Sequence, residues 1–369
     1  MGRVRPYEPA SLPITSIDWA AHVPLIGQAN AALARYDGML QSIVNPAVLL
    51  SPLTQQEAVL SSRIEGTQAS LEEVLEYEAE PQEGMEPGRR ADIQEIINYR
   101  RAMGLAIERL KERPLCLNLF RELHEVLLDS VRGRNKAPGE FRRSQNYIGP
   151  PGVPIERATF IPPSPERVGP ALDNWERYLH CDEKDRLVQL AVLKAQFEII
   201  HPFLDGNGRL GRMLVPLFLY DKKLLSSPMF YLSSYLEEHR EVYYERLLAV
   251  SRDEDWDGWI SFFLGAVVEQ AAINASKTRE ILSLYDRMKR ELPNVIRSQY
   301  AVQAIDVLFD RPIFRVADFI QRSGIPAGSA RRILNALRGQ GSIRVLRPGR
   351  GRRAVILMFR ELLDIAEGR

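Results

Sequence analysis

The chain contains 369 residues, of which 45% are apolar and 26% are charged, with a formal net charge of +1. These values are typical of a folded globular protein and exclude an extensively disordered chain. The longest apolar runs are too short to span a membrane, and the N-terminus has no apolar signal segment. Two cysteines, Cys116 and Cys181, lack metal-ligand spacing, which favours free thiols. We therefore expect a cytoplasmic protein with no membrane partner.

The charge is unevenly distributed along the chain. Residues 296–369 contain 14 arginines, no lysine and 6 acidic residues, so this segment carries a net charge of +8. Because the whole chain is +1, the preceding 295 residues carry −7. A basic segment after an acidic body predicts a separate domain that faces a polyanion.

Helical spacing of apolar residues dominates the chain up to about residue 292 and predicts a mainly α fold. The helices are expected, in chain order, over residues 24–42, 52–80, 91–112, 117–130, 168–180, 185–200, 206–218, 234–250 and 257–292. Gly66 predicts a stop or kink in the second of these helices, and Pro216 a kink or an early end in the seventh. Residues 137–170 are rich in proline and glycine, which predicts a long surface segment with a short hairpin.

The C-terminal residues differ from the rest in pattern as well as in charge. Three short helices are expected near residues 297–309, 315–322 and 328–339, followed by a hairpin of residues 342–346 and 353–357. This order is typical of a winged helix-turn-helix domain. Its arginines fall in the expected recognition helix and wing, namely Arg331, Arg332, Arg347, Arg350, Arg352 and Arg353. They favour binding of DNA phosphates, whereas dimer contacts or target recruitment remain open alternatives.

The segment His-Pro-Phe-Leu-Asp-Gly-Asn-Gly-Arg-Leu-Gly-Arg, residues 201–212, carries the clearest chemical signal. Pro202 disfavours helical angles at His201, so one helix should end there and another should begin after the glycine-rich turn. Backbone N–H groups at such a turn and the positive end of the helix dipole both favour an anion. Arg209 and Arg212 share one helix face, where two guanidinium groups suit a polyphosphate.

Two further side chains complete the chemistry expected of this segment. Asp205 is its only carboxylate, and a carboxylate beside bound phosphates most simply holds Mg²⁺. His201 has an ordinary pKa near neutrality and suits a general base. The segment therefore offers a phosphate cradle, a metal ligand and a base, but no nucleophile of its own. This combination favours attack of an external hydroxyl on a nucleotide phosphate.

The same glycines fit a second pattern that requires a different fold. Gly206-x-Gly208-x-x-Gly211 matches the fingerprint of dinucleotide-binding domains. That fingerprint needs a preceding strand in a βαβ unit and an acidic residue about 20 positions later. A helix is expected before these glycines and no βαβ pattern surrounds them, so we reject a dinucleotide site.

Residues 201–212 resemble the signature of the Fic family, His-Pro-Phe-x-(Asp/Glu)-Gly-Asn-Gly-Arg-x-x-Arg, at every specified position. The resemblance implies a helical catalytic core and, for most members, transfer of AMP from ATP to a Ser, Thr or Tyr hydroxyl of a target protein. By position, His201 would be the base, Asp205 the Mg²⁺ ligand and Phe203 a buried anchor. The ATP and anion contacts would fall on Gly206, Asn207, Gly208, Arg209, Leu210, Gly211 and Arg212.

A segment upstream of this signature resembles the inhibitory motif of the same family. It reads Ser-x-x-x-Glu-Gly and comprises Ser61, Glu65 and Gly66. The resemblance implies that Glu65 pairs with Arg212, takes the charge meant for the γ-phosphate and tilts ATP out of a productive position.

Two segments resemble the parts of the family that contact target and nucleotide. The extended stretch of Ala158–Pro163 resembles the flap, a hairpin that docks the target as an added strand. Its central residues are Thr159, Phe160 and Ile161. Gly139-Glu140-Phe141-Arg142 resembles the piece that leads into it. Tyr243-Tyr244 is similar to the tyrosines on the adenine side, and we assign ATP contact to Tyr243.

The expected fold is a Fic helical core with a short β-hairpin flap, followed by the winged helix-turn-helix domain. An N-terminal helical region, residues 1–112, contains the inhibitory helix near 52–66. The Fic core is expected at residues 113–270, the linker helix at 271–295 and the winged helix at 296–369. Two alternatives stay open: a DNA-binding regulator whose core only senses nucleotide, or a Fic enzyme of other phosphate chemistry such as AMP removal. The resemblance also makes a homodimer plausible.

Overall fold

The computed structural model describes residues 5–81, 84–130, 132–150, 152–296, 298–351 and 353–369 and is mainly helical, as the sequence predicted. Its N-terminal half contains α1 to α7, at Trp19–Gln41, Pro46–Leu49, Ser51–Ile64, Leu71–Ala79, Pro87–Arg109, Leu117–Leu127 and Pro165–His180. The helices α8 to α12 follow at Arg186–Ile200, Asn207–Asp221, Ser233–Glu238, Arg240–Asp253 and Trp256–Ile296. The last helices, α13 to α16, are Ala301–Asp310, Val316–Ser323, Ala327–Gly339 and Arg360–Glu367.

The helices form two compact units that do not follow the linear order of the chain. The first unit takes the residues up to Asp37, then Leu60–Gly66 and Asn98–Ala271. The second unit takes Gly38–Val59, Thr67–Ile97 and the residues from Ala272 onwards. Residues 271–295, which the sequence assigned as a linker helix, form the C-terminal part of the 41-residue helix α12.

The first unit is organised around α8, which packs against α7, α9 and α11. The Asp185 side chain caps α8 by accepting from the N–H groups of Leu187 and Val188 at 2.9 Å. Almost every side chain of α8 is buried, which is typical of a helix enclosed on all sides. The following helix, α9, continues past Pro216 to Asp221, since one missing N–H removes a single hydrogen bond within a buried apolar helix.

After α12, the described residues of the second unit combine four helices, α13 to α16, with a small antiparallel sheet. Within the described residues, the strands are β1, β2 and β3 at Ile313–Arg315, Arg344–Arg347 and Ile356–Met358, in the order β1-β3-β2. The helices α13, α14 and α15 lie close to their predicted positions. The strand β1 was not predicted, because three residues are too few to carry a period-two pattern. The winged helix-turn-helix assignment stays a prediction.

Acidic side chains of α4 partly offset the basic charge of the C-terminal residues. The helix α4 packs against β1 within the second unit. Arg347 pairs with Glu76 at 3.5 Å and with Glu80. Arg311 pairs with Glu78 at 3.5 Å, and Arg360 with Glu72 at 3.4 Å. Arg347, which the sequence assigned to the wing, is therefore bound to carboxylates of the same unit.

The described residues contain no candidate membrane helix and no disulfide. None of their helices combines the length and the apolar character that crossing a bilayer requires. Both cysteines, Cys116 and Cys181, are free thiols.

Candidate active site

His201 caps the C-terminus of α8, and its ring is held by a hydrogen bond to the preceding turn. Its backbone is left-handed, with φ 50° and ψ 59°. Its Nδ1 lies 3.1 Å from the backbone carbonyl oxygen of Glu198, and since a carbonyl can only accept, Nδ1 carries the hydrogen. The Nε2 atom is then left with a lone pair. Burial lowers the pKa of His201 below its ordinary value, so the imidazole is neutral at pH 7 and can accept a proton there.

The glycine-rich turn after His201 is fixed by the Asn207 side chain. Its Oδ1 accepts from the N–H of Phe203 and its Nδ2 donates to the Phe203 carbonyl, both at 2.9 Å. Gly206 adopts a φ of 79°, which is left-handed backbone that favours glycine. The turn therefore starts α9 at Asn207 with its first N–H groups unused by the helix itself, which is the arrangement of an anion site.

Asp205 and Arg209 lie beside this turn. The Asp205 Oδ1 atom accepts from the Gly206 N–H at 2.5 Å and lies 3.2 Å from Nη2 of Arg209. The Asp205 side chain is 44% exposed, whereas the Arg209 side chain is buried. The described residues contain no group of three or more His, Cys, Asp or Glu side chains that would hold a metal ion alone.

Arg212 is buried and forms an ion pair with Glu65, a residue 147 positions earlier in the chain. Its Nη2 lies 2.5 Å from Oε1 of Glu65 and 2.9 Å from the Ser61 carbonyl, and its Nε donates to Ser61 Oγ at 2.8 Å. Partial burial alone would raise the pKa of Glu65, but the charge and hydrogen bond of Arg212 hold this pKa below its ordinary value. The pair is therefore charged at neutral pH.

The Glu65 carboxylate occupies the space in front of the α9 N-terminus. A Cβ atom built on Gly208 would collide with Glu65 Oε1 and would lie 3.0 Å from Nη1 of Arg212. Gly66 follows with a φ of 102°, and Arg240 donates from Nη2 to the Ile64 carbonyl at 2.7 Å. The Glu65 carboxylate thus lies against the first turn of α9 and the Arg212 guanidinium.

The predicted flap is a short bridge rather than a full hairpin. Phe160 pairs with Ile148 in an isolated antiparallel bridge. Thr159 is exposed, Phe160 is half-buried and Ile161 is buried. The backbone N–H of Tyr7 donates to the Ile161 carbonyl at 3.0 Å, so the N-terminal segment contacts the flap.

Tyr243 is buried against α8 rather than exposed on the surface. Its ring is fully buried, and its hydroxyl donates to Glu198 Oε2 at 2.5 Å and accepts from Lys194 Nζ at 3.0 Å. Lys194 also pairs with Glu198, so these three side chains form one buried polar cluster. The neighbouring Tyr244 is 44% exposed, and the Arg240 guanidinium lies 5.9 Å from the centroid of its ring. Tyr244 is thus the more accessible ring of the two.

We expect Tyr243→Phe to destabilise the protein by about 1–3 kcal/mol, because the change leaves Lys194 and Glu198 each short of one buried partner. Chemical denaturation followed by circular dichroism measures this difference. Tyr244→Phe is the matched control and should change stability little, since its ring is partly exposed. Equal effects of the two substitutions would contradict a role for the buried cluster.

Two residues to which the sequence assigned ATP contact take part in packing instead. The Leu210 side chain is fully buried in the apolar face of α9. A Cβ atom at Gly211 would come within 2.7 Å of Glu198 Oε1, so Gly211 provides close packing between α8 and α9. Around the turn itself the structure brings together His201, Asp205, Gly206, Asn207, Gly208, Arg209, Arg212 and Glu65.

His124 supports the turn and was not identified from the sequence. Its ring stacks on Phe203 with centroids 3.9 Å apart. Its Nδ1 accepts from the Gly139 N–H at 2.8 Å, so Nε2 carries the hydrogen and donates to the Asp205 carbonyl at 3.0 Å. Burial lowers the pKa of His124 to about 4, consistent with a neutral ring. The position of His124 on the apolar face of α6 could have identified it from the sequence. Lys194 and Glu198 could have been identified in the same way, because they are charged residues within the apolar run of α8.

The helical core, in which a neutral histidine precedes the N-terminus of α9, falls in a known class of protein. A family model described as Fic/DOC family N-terminal matches residues 23–108, and one described as Fic/DOC family matches residues 114–219. Together the two matches cover more than half of the chain. The chain therefore belongs to the Fic/DOC family.

Curated relatives match parts of this region. A probable protein adenylyltransferase of Aquifex aeolicus is 28% identical over 195 residues, which are 52% of this chain and 56% of that protein. The protein adenylyltransferase Fic of Drosophila melanogaster is 36% identical over 105 residues, which are 27% of this chain and 18% of that protein. The chain thus spans less than two thirds of the length of either relative.

Solved structures share the fold at low sequence identity. A Fic family protein from Desulfovibrio desulfuricans G20 superposes with a TM-score of 0.60 at 22% identity and covers 95% of this chain and 98% of its own. A Fic domain containing signaling protein from Bacteroides thetaiotaomicron has a TM-score of 0.52 at 16% identity, and the match covers 69% of this chain and 97% of that protein. These likenesses establish the fold class.

Proposed function

We propose that this protein transfers AMP from ATP to a hydroxyl of a target protein and that Glu65 holds the activity in check. The observation that carries the proposal is the ion pair between Glu65 and Arg212 in front of the α9 N-terminus. A carboxylate is held where an anion-binding turn and a buried guanidinium would otherwise meet a phosphate. The names of the Aquifex and Drosophila relatives support AMP transfer as the reaction.

The side chains around the turn have complementary roles in this reaction. The Nε2 atom of His201 takes the proton of the target hydroxyl as its oxygen attacks the α-phosphorus. The bond from that phosphorus to the β-phosphate oxygen breaks, and pyrophosphate leaves. Gly206 shapes the turn, and the N–H groups of Asn207 and Gly208 at the start of α9 stabilise the negative charge that develops on the α-phosphate oxygens.

Asp205 fits the role of a Mg²⁺ ligand within this scheme. Its contacts to Gly206 and Arg209 both use Oδ1, and the side chain remains 44% exposed. A single carboxylate suits Mg²⁺, which in nucleotide sites takes most of its other ligands from phosphates and water. The ion would neutralise charge on the phosphates that leave.

The phosphates beyond the α position need cations, and two arginines can supply them. Arg209 and Arg212 are both buried on the first turns of α9. While Arg212 is paired with Glu65, its charge is not available to the γ-phosphate. ATP is then held without the contact that aligns its α-phosphorus with the attacking hydroxyl.

The test is intact-mass spectrometry of the Glu65→Gly protein after incubation with Mg²⁺ and ATP. We expect the addition of one or more AMP units to the protein's own hydroxyls. Omitting ATP or Mg²⁺ provides the control. A mass gain other than AMP would indicate another phosphate chemistry, and no gain with or without added candidate targets would contradict AMP transfer.

A second activity is favoured by the exposed arginines of the C-terminal residues. Those on α15 and around the wing are Arg331, Arg332, Arg338, Arg344, Arg350 and Arg353, all of them exposed. Arg352, also assigned to the wing, lies outside the described residues. Exposed guanidinium groups on one helix and an adjacent loop support binding of DNA phosphates. The homodimer stays a prediction.

We expect the full-length protein to bind duplex DNA with an affinity that falls as salt rises. Replacing Arg331 or Arg332 by alanine should weaken binding and reduce the salt slope by about 1 for each phosphate contact that is lost. Fluorescence anisotropy at several salt concentrations measures both quantities. Arg279→Ala, an exposed arginine of α12 in the same unit, is the matched control. Equal affinities of the three variants and the wild type for DNA would exclude Arg331 and Arg332 as a DNA-binding surface.

A further inference from the structure

Arg142 is a buried arginine whose guanidinium faces backbone carbonyls. Only 3% of the Arg142 surface is exposed. Its Nε donates to the His201 carbonyl at 2.9 Å, and its Nη2 donates to the carbonyls of Pro163 at 2.5 Å and Ile200 at 3.3 Å. Its Nη1 donates to the Ser144 carbonyl at 3.3 Å. Burial lowers the pKa of this guanidinium only to about 10, so it remains a cation at neutral pH.

Three of these four carbonyls belong to two distinct places, and the fourth, that of Ser144, is local to Arg142. Those of Ile200 and His201 are at the C-terminus of α8, where helix carbonyls lack intrahelical partners and the dipole favours a cation. That of Pro163 comes two residues after Ile161 of the flap. The backbone N–H of Arg142 also donates to the Pro202 carbonyl at 2.8 Å. One side chain therefore ties the end of α8 to the end of the flap.

We propose that Arg142 is a positioning residue that holds His201 in its left-handed conformation and keeps the flap in register with this base. The proposal rests on the proposed AMP transfer. The left-handed region is unfavourable for a residue with a side chain, so the conformation of His201 needs support from its surroundings. The donors of Arg142, together with the Nδ1 contact of His201 to the Glu198 carbonyl, provide that support.

The chemistry of the site requires arginine rather than lysine. A planar guanidinium donates along several fixed directions at once, whereas an ammonium group is a compact charge with three donors on a flexible stem. Lysine would keep the positive charge near His201 but could not span the carbonyls of Ile200, His201 and Pro163 together. The two substitutions Arg142→Lys and Arg142→Gln therefore separate geometry from charge.

The charge of Arg142 also acts on the protonation of His201. The charged groups that act on His201 are Glu65 at the end of α3, Glu198 on α8 and Arg142. Burial lowers the pKa of His201 most, the two carboxylates raise it and Arg142 lowers it. Removal of the Arg142 charge should therefore raise the pKa of His201 and move the acidic limb of the rate profile to higher pH.

The experiment measures AMP incorporation in the Glu65→Gly background for Arg142→Lys and Arg142→Gln, with Arg143→Gln as control. Arg143 is the next residue and its side chain is 90% exposed. We expect both Arg142 variants to lose activity roughly 10- to 100-fold, since misplacement of a base by about 1 Å has effects of this size. The control should keep its rate. A Glu65→Gly protein that itself incorporates no AMP would count against the proposed function and not against the positioning role.

A second readout does not depend on activity. The His201 ring is titrated by nuclear magnetic resonance in the wild-type background, with assignment from a His201→Asn protein. We expect its pKa to rise in Arg142→Gln and to stay near the wild-type value in Arg142→Lys. An unchanged pKa in Arg142→Gln, or a wild-type rate in Arg142→Lys, would overturn the proposal.

A further variant keeps the test valid if both Arg142 substitutions prevent folding. Asn146 donates from Nδ2 to the carbonyls of Phe203 at 3.1 Å and His201 at 3.5 Å. Asn146→Ala leaves the buried guanidinium intact and removes a donor to the same carbonyl. It should lower the rate roughly 3- to 10-fold, the effect of one hydrogen bond. No change in rate would argue against positioning of His201 through its carbonyl.

Discussion

Glu65→Gly is expected to raise AMP incorporation at least about tenfold over the wild type. The change frees the buried Arg212 guanidinium and empties the space in front of Gly208. A charge-assisted contact to the γ-phosphate can then align ATP, and correct alignment is worth one or two orders of magnitude in rate. Time courses of labelled AMP incorporation at equal protein concentration measure the ratio.

Two conservative substitutions of Glu65 separate charge from occupancy. Glu65→Asp keeps the negative charge and should remain inhibited, whereas Glu65→Gln loses the charge and should be partly released. Because the pKa of Glu65 is lowered in the folded protein, the pair persists when the pH falls through the ordinary carboxyl range. Mild acid is therefore not expected to release it. Labelling of Glu65→Gly no faster than wild type would refute inhibition by this residue.

The same substitution has a predicted cost in stability. Without Glu65, the buried guanidinium of Arg212 keeps its contacts to Ser61 but lacks a counter-charge. The thermal midpoint of Glu65→Gly should therefore fall below that of the wild type and rise again with Mg²⁺ and ATP, which bind only the folded protein. A shift of this kind would support competition between the carboxylate and the phosphate for one site.

His201→Ala in the Glu65→Gly background is expected to lower AMP incorporation by roughly 10²- to 10⁴-fold, the usual contribution of a general base. The neutral ring has an Nε2 lone pair that can accept the hydroxyl proton, whereas the carboxylate of the same segment, Asp205, is assigned to Mg²⁺. Intact-mass spectrometry and labelled nucleotide incorporation both detect the loss. His239→Ala, at a histidine on the N-terminal side of α11, is the matched control.

Two results would contradict this assignment of the base. One is retention of the Glu65→Gly rate in the double variant. The other is loss of ATP binding together with loss of activity, since a base on the target hydroxyl does not hold the nucleotide. Binding of ATP, measured by calorimetry in both proteins, should therefore stay within a few-fold.

The pairing of Glu65 with Arg212 links a sequence prediction to a tertiary contact. The motif around Ser61 predicted the pair, and the structure contains it. The inhibitory role remains a proposal. The sequence assignment of Tyr243 to ATP, in contrast, did not anticipate that its ring is buried against Lys194 and Glu198. Two adjacent tyrosines on a helix point in different directions, and only packing decides which one is enclosed.

Arg142 and Arg347 show a similar limit of sequence reasoning. The sequence named Arg142 only as the last residue of the piece that leads into the flap, and it grouped Arg347 with the other arginines of the wing. Arg142 is enclosed by carbonyls of residues about 20 and 60 positions away, and Arg347 by carboxylates of α4 more than 260 positions earlier. Charge counts over a segment therefore overstate how much positive charge it presents to a partner.

The sequence by itself determined the local features of this protein. The spacing of apolar residues defined most helices, Pro202 and the glycines fixed the end of α8 and the start of α9, and residues 201–212 identified the family. These features depend on neighbours within one or two turns, where backbone sterics and helix ends act directly. The pairing of Glu65 with Arg212 was predicted only through the family motif. The tertiary structure alone decided two other meetings of distant groups, Arg142 with the end of α8 and α4 with Arg347. Such contacts depend on how helix faces pack, and no local pattern encodes that choice.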